Sequence, residues 1–217
     1  IEQRSAISRR NDDIGSITYR EFDKLIYGND SPYARHTEYA TIENITRQDI
    51  VDFYKKYFFP NNAIMAAWGD FNTKDMIALV EKTMGGWKTE KQAVPSLPKV
   101  WYEYQYTVNV IQKPDVNQSN IALGHIGGLM NNPDYPALSV MNSILSYDRM
   151  FKKIRTDEGL AYSVWGSYDA SYLNPGVFSC GAQTKSESTV YAIELMLKEL
   201  ERIQKEEVSD EELARAK

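Results

Sequence analysis

The stretch from Arg149 to Gly166, RMFKKIRTDEGLAYSVWG, constrains the fold most tightly. An amphipathic, cation-bearing run reads as helix, Glu158-Gly159 as a turn, and the alternation from Ala161 onward as a strand. A helix that turns directly into a strand must pack back on a sheet to bury its apolar side. The same stretch sets Arg155 at the end of the helix and Tyr162 at the start of the strand. An Arg in a last helical turn ordinarily just favours the helix dipole, and a Tyr on a strand ordinarily just packs. On two rigid elements, however, a planar cation and a phenol could grip one carbonyl between them, which points to a site that handles peptide.

The rest of the chain supplies covering helices and further strands. Ile1 to Asp13 reads as helix, and Ser16 as the cap of a second helix that runs to Tyr27 and ends at Gly28. Thr46 with Asp49 starts a helix whose apolar face carries Ile50, Phe53, Tyr54, Tyr57 and Phe58. Pro60-Asn61-Asn62 stops it. Ala63 to Trp68 is short and nearly all apolar, so it reads as a buried strand, and Asn72 caps the helix that follows. Residues 85–99 mix Gly, Pro, Lys and Gln without periodicity and read as a linker. Strands are expected at Trp101 to Gln112, Asn120 to Ile126, Ala161 to Ala170 and Gly176 to Gln183. Helices are expected at Pro133 to Leu145, at Glu187 to Lys205 and, with Ser209 and Glu212 as a capping box, from Asp210. Few parallel βαβ signatures occur, so the fold class is α+β, with helices packed on antiparallel-rich sheets.

Several chemistries are excluded on composition. A net charge of −5 offers no basic face for nucleic acid, and no apolar run is long enough to span a bilayer. Cys180, the single cysteine, lies in a strand-like run and is expected to be a small buried group rather than a nucleophile. The two histidines, His36 and His125, lack ligand-spaced partners, so no complete zinc site is expected from this chain alone. No phosphate loop and no nucleophile elbow occurs. The charged helical segment at Ile1 and the uncapped one at Lys217 read as the ends of a fragment.

The ordered motifs resemble a known family. Leu25-Ile26-Tyr27-Gly28, Ser31 to Arg35, Thr41 to Thr46, Phe53-Tyr54, Pro60 to Ala63 and Gly69-Asp70-Phe71 are similar to segments of the insulinase/pitrilysin zinc metallopeptidases. Arg155 to Val164, with Gly159-Leu160-Ala161-Tyr162, is similar to the signature of that family's second repeat. The resemblance implies α+β repeats of the LuxS/processing-peptidase type, facing one another across a chamber. Residues 1–87 would be the later part of a first repeat, 88–99 a linker, and 100–217 the earlier part of a second repeat that binds no metal. The inverted zinc motif, H-x-x-E-H, would lie upstream of Ile1. The third zinc ligand of the family, a Glu, falls by offset at Ser5 or Ala6, neither of which can serve; Glu2 lies one helical turn before Ala6. The loop that family members carry before Arg149 is missing between Ser146-Tyr147 and Asp148: it is either short here or a segment absent from the numbering.

By resemblance, Arg155 and Tyr162 reach toward a zinc held by the first repeat, Tyr162 as oxyanion donor and Arg155 as an anchor for substrate backbone. The intact protein would be a zinc endopeptidase of unstructured peptides, and this chain alone inactive. The alternative is a non-catalytic subunit of the same fold that pairs with an active zinc peptidase. The partners implied are a peptide substrate and either the remainder of the protein or a homologous subunit, with no nucleic acid. Similarity to bacterial members implies a periplasmic or envelope location.

Overall fold

A computed structural model describes residues 2–87 and 93–217. They fall into two units, Ile1–His36 with Leu97–Lys217, and Thr37–Ser96. The first helices thus share a unit with the later sheet. Part of the expected linker, 88–92, lies outside the described residues.

The larger unit is built on a three-stranded antiparallel sheet of β1 (Gln118–Ile126), β2 (Ala161–Asp169) and β3 (Val177–Lys185), in the order β1-β3-β2. Ala182 on the central strand faces Ile121 on one side and Val164 on the other. Because side chains alternate across a strand, Phe178, Cys180 and Ala182 share one face. That face packs with Leu145, Met150, Ile154, Ala192, Leu195 and Met196 in a single buried cluster. Ala192, Leu195 and Met196 belong to α7 (Thr189–Lys205), where their helical spacing makes one stripe. The opposite face takes α2 (Ile14–Tyr27), with the Tyr19 and Trp165 rings 6.0 Å apart. Trp165 lies so close over Gly181 that any Cβ there would collide with its ring and with the Ile121 carbonyl.

The buried residues before β2 are Ile144, Leu145, Arg149, Met150 and Ile154. They recur every five positions, and the segment Ile144–Asp157 is accordingly a π-helix, continuing α6 (Tyr135–Ser143). At its end the Glu158 N–H donates to the Lys153 carbonyl at 3.2 Å. The sequence suggests an ordinary helix here, with the family's loop before Arg149 either short or absent from the numbering. The backbone passes through 146–149 as continuous helix.

Helix starts follow local chemistry. Asp13, rather than Ser16, caps α2: its carboxylate accepts from the Ser16 N–H at 2.7 Å and from the Ser16 hydroxyl at 2.8 Å, which lowers its pKa. α1 is shorter than expected, Glu2–Arg9. The short α8 (Asp210–Ala216) begins with the expected capping box, Ser209 N–H to Glu212 Oε2 at 2.8 Å and Glu212 N–H to Ser209 Oγ at 3.2 Å. It is tied to the π-helix by Arg149, whose Nε and Nη2 donate to the two Glu212 oxygens at 2.6 and 3.1 Å. A second tie joins Arg215 to Asp148 at 2.8 Å.

The smaller unit holds α3 (Tyr39–Asn44), α4 (Arg47–Tyr57) and α5 (Thr73–Met84). The Thr46/Asp49 capping box and the Asn72 cap form as expected. Two expected strands do not. Ala63 to Trp68 and Trp101 to Gln112, the latter in the larger unit, belong to no ladder among the described residues. Ile64 and Trp68 are fully exposed, as are Tyr106 and Val108. Period-two or continuous apolar patterning marks a segment suited to a sheet, but a strand exists only where a neighbour pairs with its backbone. A helix face is likewise buried only where another element packs on it, and Ile50, Phe53 and Tyr54 on α4, with Phe58 just past its end, are exposed rather than buried.

Candidate functional site

Arg155 and Tyr162 are carried by elements that the fold holds rigidly. The π-helix is anchored from below by the completely buried Ile154. The reversal into β2 uses Gly159 at φ +63, a left-handed conformation that only glycine adopts without strain. Across this turn the Leu160 N–H donates to the Ile154 carbonyl at 3.0 Å, and the Thr184 hydroxyl of β3 donates to the Leu160 carbonyl at 2.6 Å. The turn carboxylate, Glu158, accepts from Lys153 Nζ at 2.7 Å and from the Tyr191 hydroxyl at 3.3 Å. The Lys153 hydrogen bond lowers the Glu158 pKa, and its partner's pKa rises correspondingly.

Tyr162 sits at a feature that the sequence does not announce. The β2–β3 register runs Ala161↔Thr184 and then Ser163↔Gln183, so Tyr162 is the extra residue of a β-bulge. Bulges re-aim side chains, and this one lies on an edge strand with Tyr162 76% exposed. Arg155 is exposed as well. Its guanidinium carbon lies 5.1 Å from the Phe151 ring centroid, and Phe151 stacks on Tyr147 at 5.5 Å with the rings 13° apart. Among the described residues no hydrogen bond joins Arg155 to Tyr162. Both present their donors to solvent, from the two ends of a locked turn. Two donors and no base can bind and polarise an acceptor but cannot activate a nucleophile.

Other candidates resolve into structure. His125 Nδ1 is 2.7 Å from the Ile126 carbonyl oxygen, and the ring lies 5.3 Å from that of Phe178 and 6.2 Å from that of Tyr104. His36 is exposed. Cys180 is fully buried in the cluster between sheet and helices, and burial pushes its thiol up to about 12. A cleft of about 700 Å³ is lined by Asp12, Asp13, Asp115 and Gln183, among others. Two of those acids are already engaged, Asp13 with Ser16 and Asp115 with Lys113 at 2.7 Å. Among the described residues no group of three or more His, Cys, Asp or Glu is placed to hold a metal ion. Ser5 and Ala6 lie on α1 with no carboxylate to offer, and Glu2 is exposed. The described residues therefore do not fit a resident zinc. Nor is any helix among them long and apolar enough to cross a membrane.

Comparison with known proteins identifies the fold and the family. The chain is 24% identical over 205 residues to the uncharacterized zinc protease YmxG of Bacillus subtilis (strain 168), covering 93% of this chain and 49% of that protein. It thus spans about half the length of that relative. A solved peptidase M16 inactive domain from Pseudomonas fluorescens superposes with a TM-score of 0.89 at 23% identity, over 99% of this chain and 52% of the other. A protease from Helicobacter pylori superposes with a TM-score of 0.86 at 21% identity, over 99% and 53%. These likenesses establish the fold, a small antiparallel sheet with mixed helices. The family model described as the peptidase M16 inactive domain matches residues 44–217, and the chain belongs to that family.

Proposed function

We propose that the protein carrying this chain is a zinc endopeptidase of unstructured peptides, and that this chain supplies its substrate-binding Arg155 and Tyr162. The observation that carries the reading is the bulge, which turns the Tyr162 phenol outward at an open sheet edge beside a fixed turn. A phenol donating to a scissile carbonyl gains strength as negative charge grows on that oxygen, so it stabilises the transition state more than the ground state. Arg155, permanently charged and rich in N–H donors, would hold the peptide backbone. The metal ligands and the base would come from outside this chain, either from the rest of the protein or from a homologous subunit. An envelope or periplasmic location is part of the same reading, by likeness to bacterial members.

A second reading has its own support. The matched family is described as the inactive domain, and Ser5 and Ala6 replace the expected Glu. On that reading the chain is a non-catalytic part that pairs with an active zinc peptidase. Metal content and hydrolysis of an unstructured quenched peptide, measured on the full protein, separate the two. Stoichiometric zinc, with a kcat that Tyr162→Phe lowers about 100-fold or more, supports the first reading. Metal-free protein without hydrolysis supports the second, and full activity in Tyr162→Phe removes Tyr162 from the mechanism.

A further inference from the structure

Among the described residues Arg155 is a cation without a carboxylate. The turn acid, Glu158, is taken by Lys153 and Tyr191. Among the described residues the Arg155 side chain makes no ion pair and no hydrogen bond; what it has is the face of Phe151, at 5.1 Å. Phe151 is in turn stacked on Tyr147. Tyr147, Phe151 and Arg155 recur every four residues along the π-helix, while Leu145, Met150 and Ile154 bury its other side in the core.

A carboxylate partner would occupy the N–H groups of a guanidinium and cancel its charge. An aromatic face does neither. It attracts the cation through the ring quadrupole, narrows the conformations of a long side chain, and leaves the N–H donors free. We infer that Phe151, backed by Tyr147, is a positioning residue that holds Arg155 ready to receive the backbone carbonyls of a peptide. The inference rests on the proposed role of Arg155 and deepens it, because it names what orders the anchor before substrate arrives. Arg155 ordered in advance loses less freedom on binding, so the benefit falls on affinity.

The test compares Phe151→Leu, which removes the ring, with Phe151→Tyr, which keeps it, in the full protein. Two readouts are taken: kinetics on a quenched unstructured peptide, and the NMR signals of the Arg155 δ-protons in arginine-labelled protein, assigned by their loss in Arg155→Lys. The expected result is a KM about fivefold higher in Phe151→Leu, a larger change than that in kcat, with Phe151→Tyr near wild type. The ring-current shift of the δ-protons should vanish in the Leu variant and persist in the Tyr variant. If both variants lose activity alike, or if the shift disappears while KM is unchanged, the inference is overturned and the endopeptidase reading stands. If the wild type cleaves nothing, the endopeptidase reading fails, and anisotropy with the same labelled peptide decides the inference. Binding that weakens about fivefold in Phe151→Leu alone upholds it, and no binding by the wild type overturns it.

Discussion

Replacing Arg149 with Met should remove the principal tie between α8 and the π-helix. The Arg149 side chain is 6% exposed and Glu212 15%, so the pair is nearly dry. Breaking such a pair from one side costs about 3–5 kcal/mol when the remaining charge is stranded. Here Glu212 keeps the Ser209 N–H and hydroxyl, which places the cost at the low end. The carboxyl itself gives a second route to the magnitude. Hydrogen bonding from Arg149, reinforced by Ser209, lowers the Glu212 pKa from 4.5 to about 2. That difference corresponds to about 3 kcal/mol of stability at neutral pH. The folded-state value is depressed, so the contribution is complete above pH 4.5 and is lost as the pH falls toward 2. Urea unfolding followed by circular dichroism should therefore show Arg149→Met less stable by about 2–3 kcal/mol at pH 7, and by only about 1–1.5 kcal/mol at pH 3. Met keeps the apolar stem, so loss of packing contributes little. A difference below about 1 kcal/mol at pH 7, or one of equal size at both pH values, would refute the assignment of this pair as a buried, charge-dependent tie.

Other outcomes follow from the same packing. Gly181→Ala should destabilise by about 1–3 kcal/mol or more in thermal unfolding, because the new methyl meets Trp165 and the Ile121 carbonyl; an unchanged Tm would contradict the close approach. Gly159→Ala should cost about 1–2 kcal/mol by denaturant titration, since φ there is +63 although the space around it is open. Cys180 should resist a thiol reagent at pH 8 until the protein unfolds, given its burial and a pKa of about 12; rapid labelling of the native protein would place it elsewhere.

What the sequence disclosed, and what it did not, divides along physical lines. Caps are local, so the Thr46/Asp49 and Ser209/Glu212 boxes and the Asn72 cap were all readable from neighbouring residues. Asp13 and Ser16 are both of residue types that cap helices, and only the geometry shows that Asp13 is the one that accepts. The three sheet strands were readable as strand-like runs, while Ala63 to Trp68, a continuous apolar run, and Trp101 to Gln112, an alternating one, formed no ladder among the described residues. Patterning reports what a segment is suited to; pairing depends on a neighbour. At the proposed site, the placement of Arg155 at a helix end and of Tyr162 at a strand start was readable, and their presentation was not. The bulge at Tyr162 is a register event between β2 and β3, which no single strand records. The platform under Arg155 was written at four-residue spacing in Tyr147, Phe151 and Arg155, but its face could be assigned only once the five-residue repeat of buried groups had fixed the helix type.

The structure of the full protein with an uncleaved peptide bound would test the central claim most directly. The account expects one peptide carbonyl oxygen within hydrogen-bond reach, about 2.7–3.1 Å, of the Tyr162 hydroxyl, with the Arg155 guanidinium on the adjoining backbone. A peptide bound with Tyr162 and Arg155 both left in open solvent would contradict it.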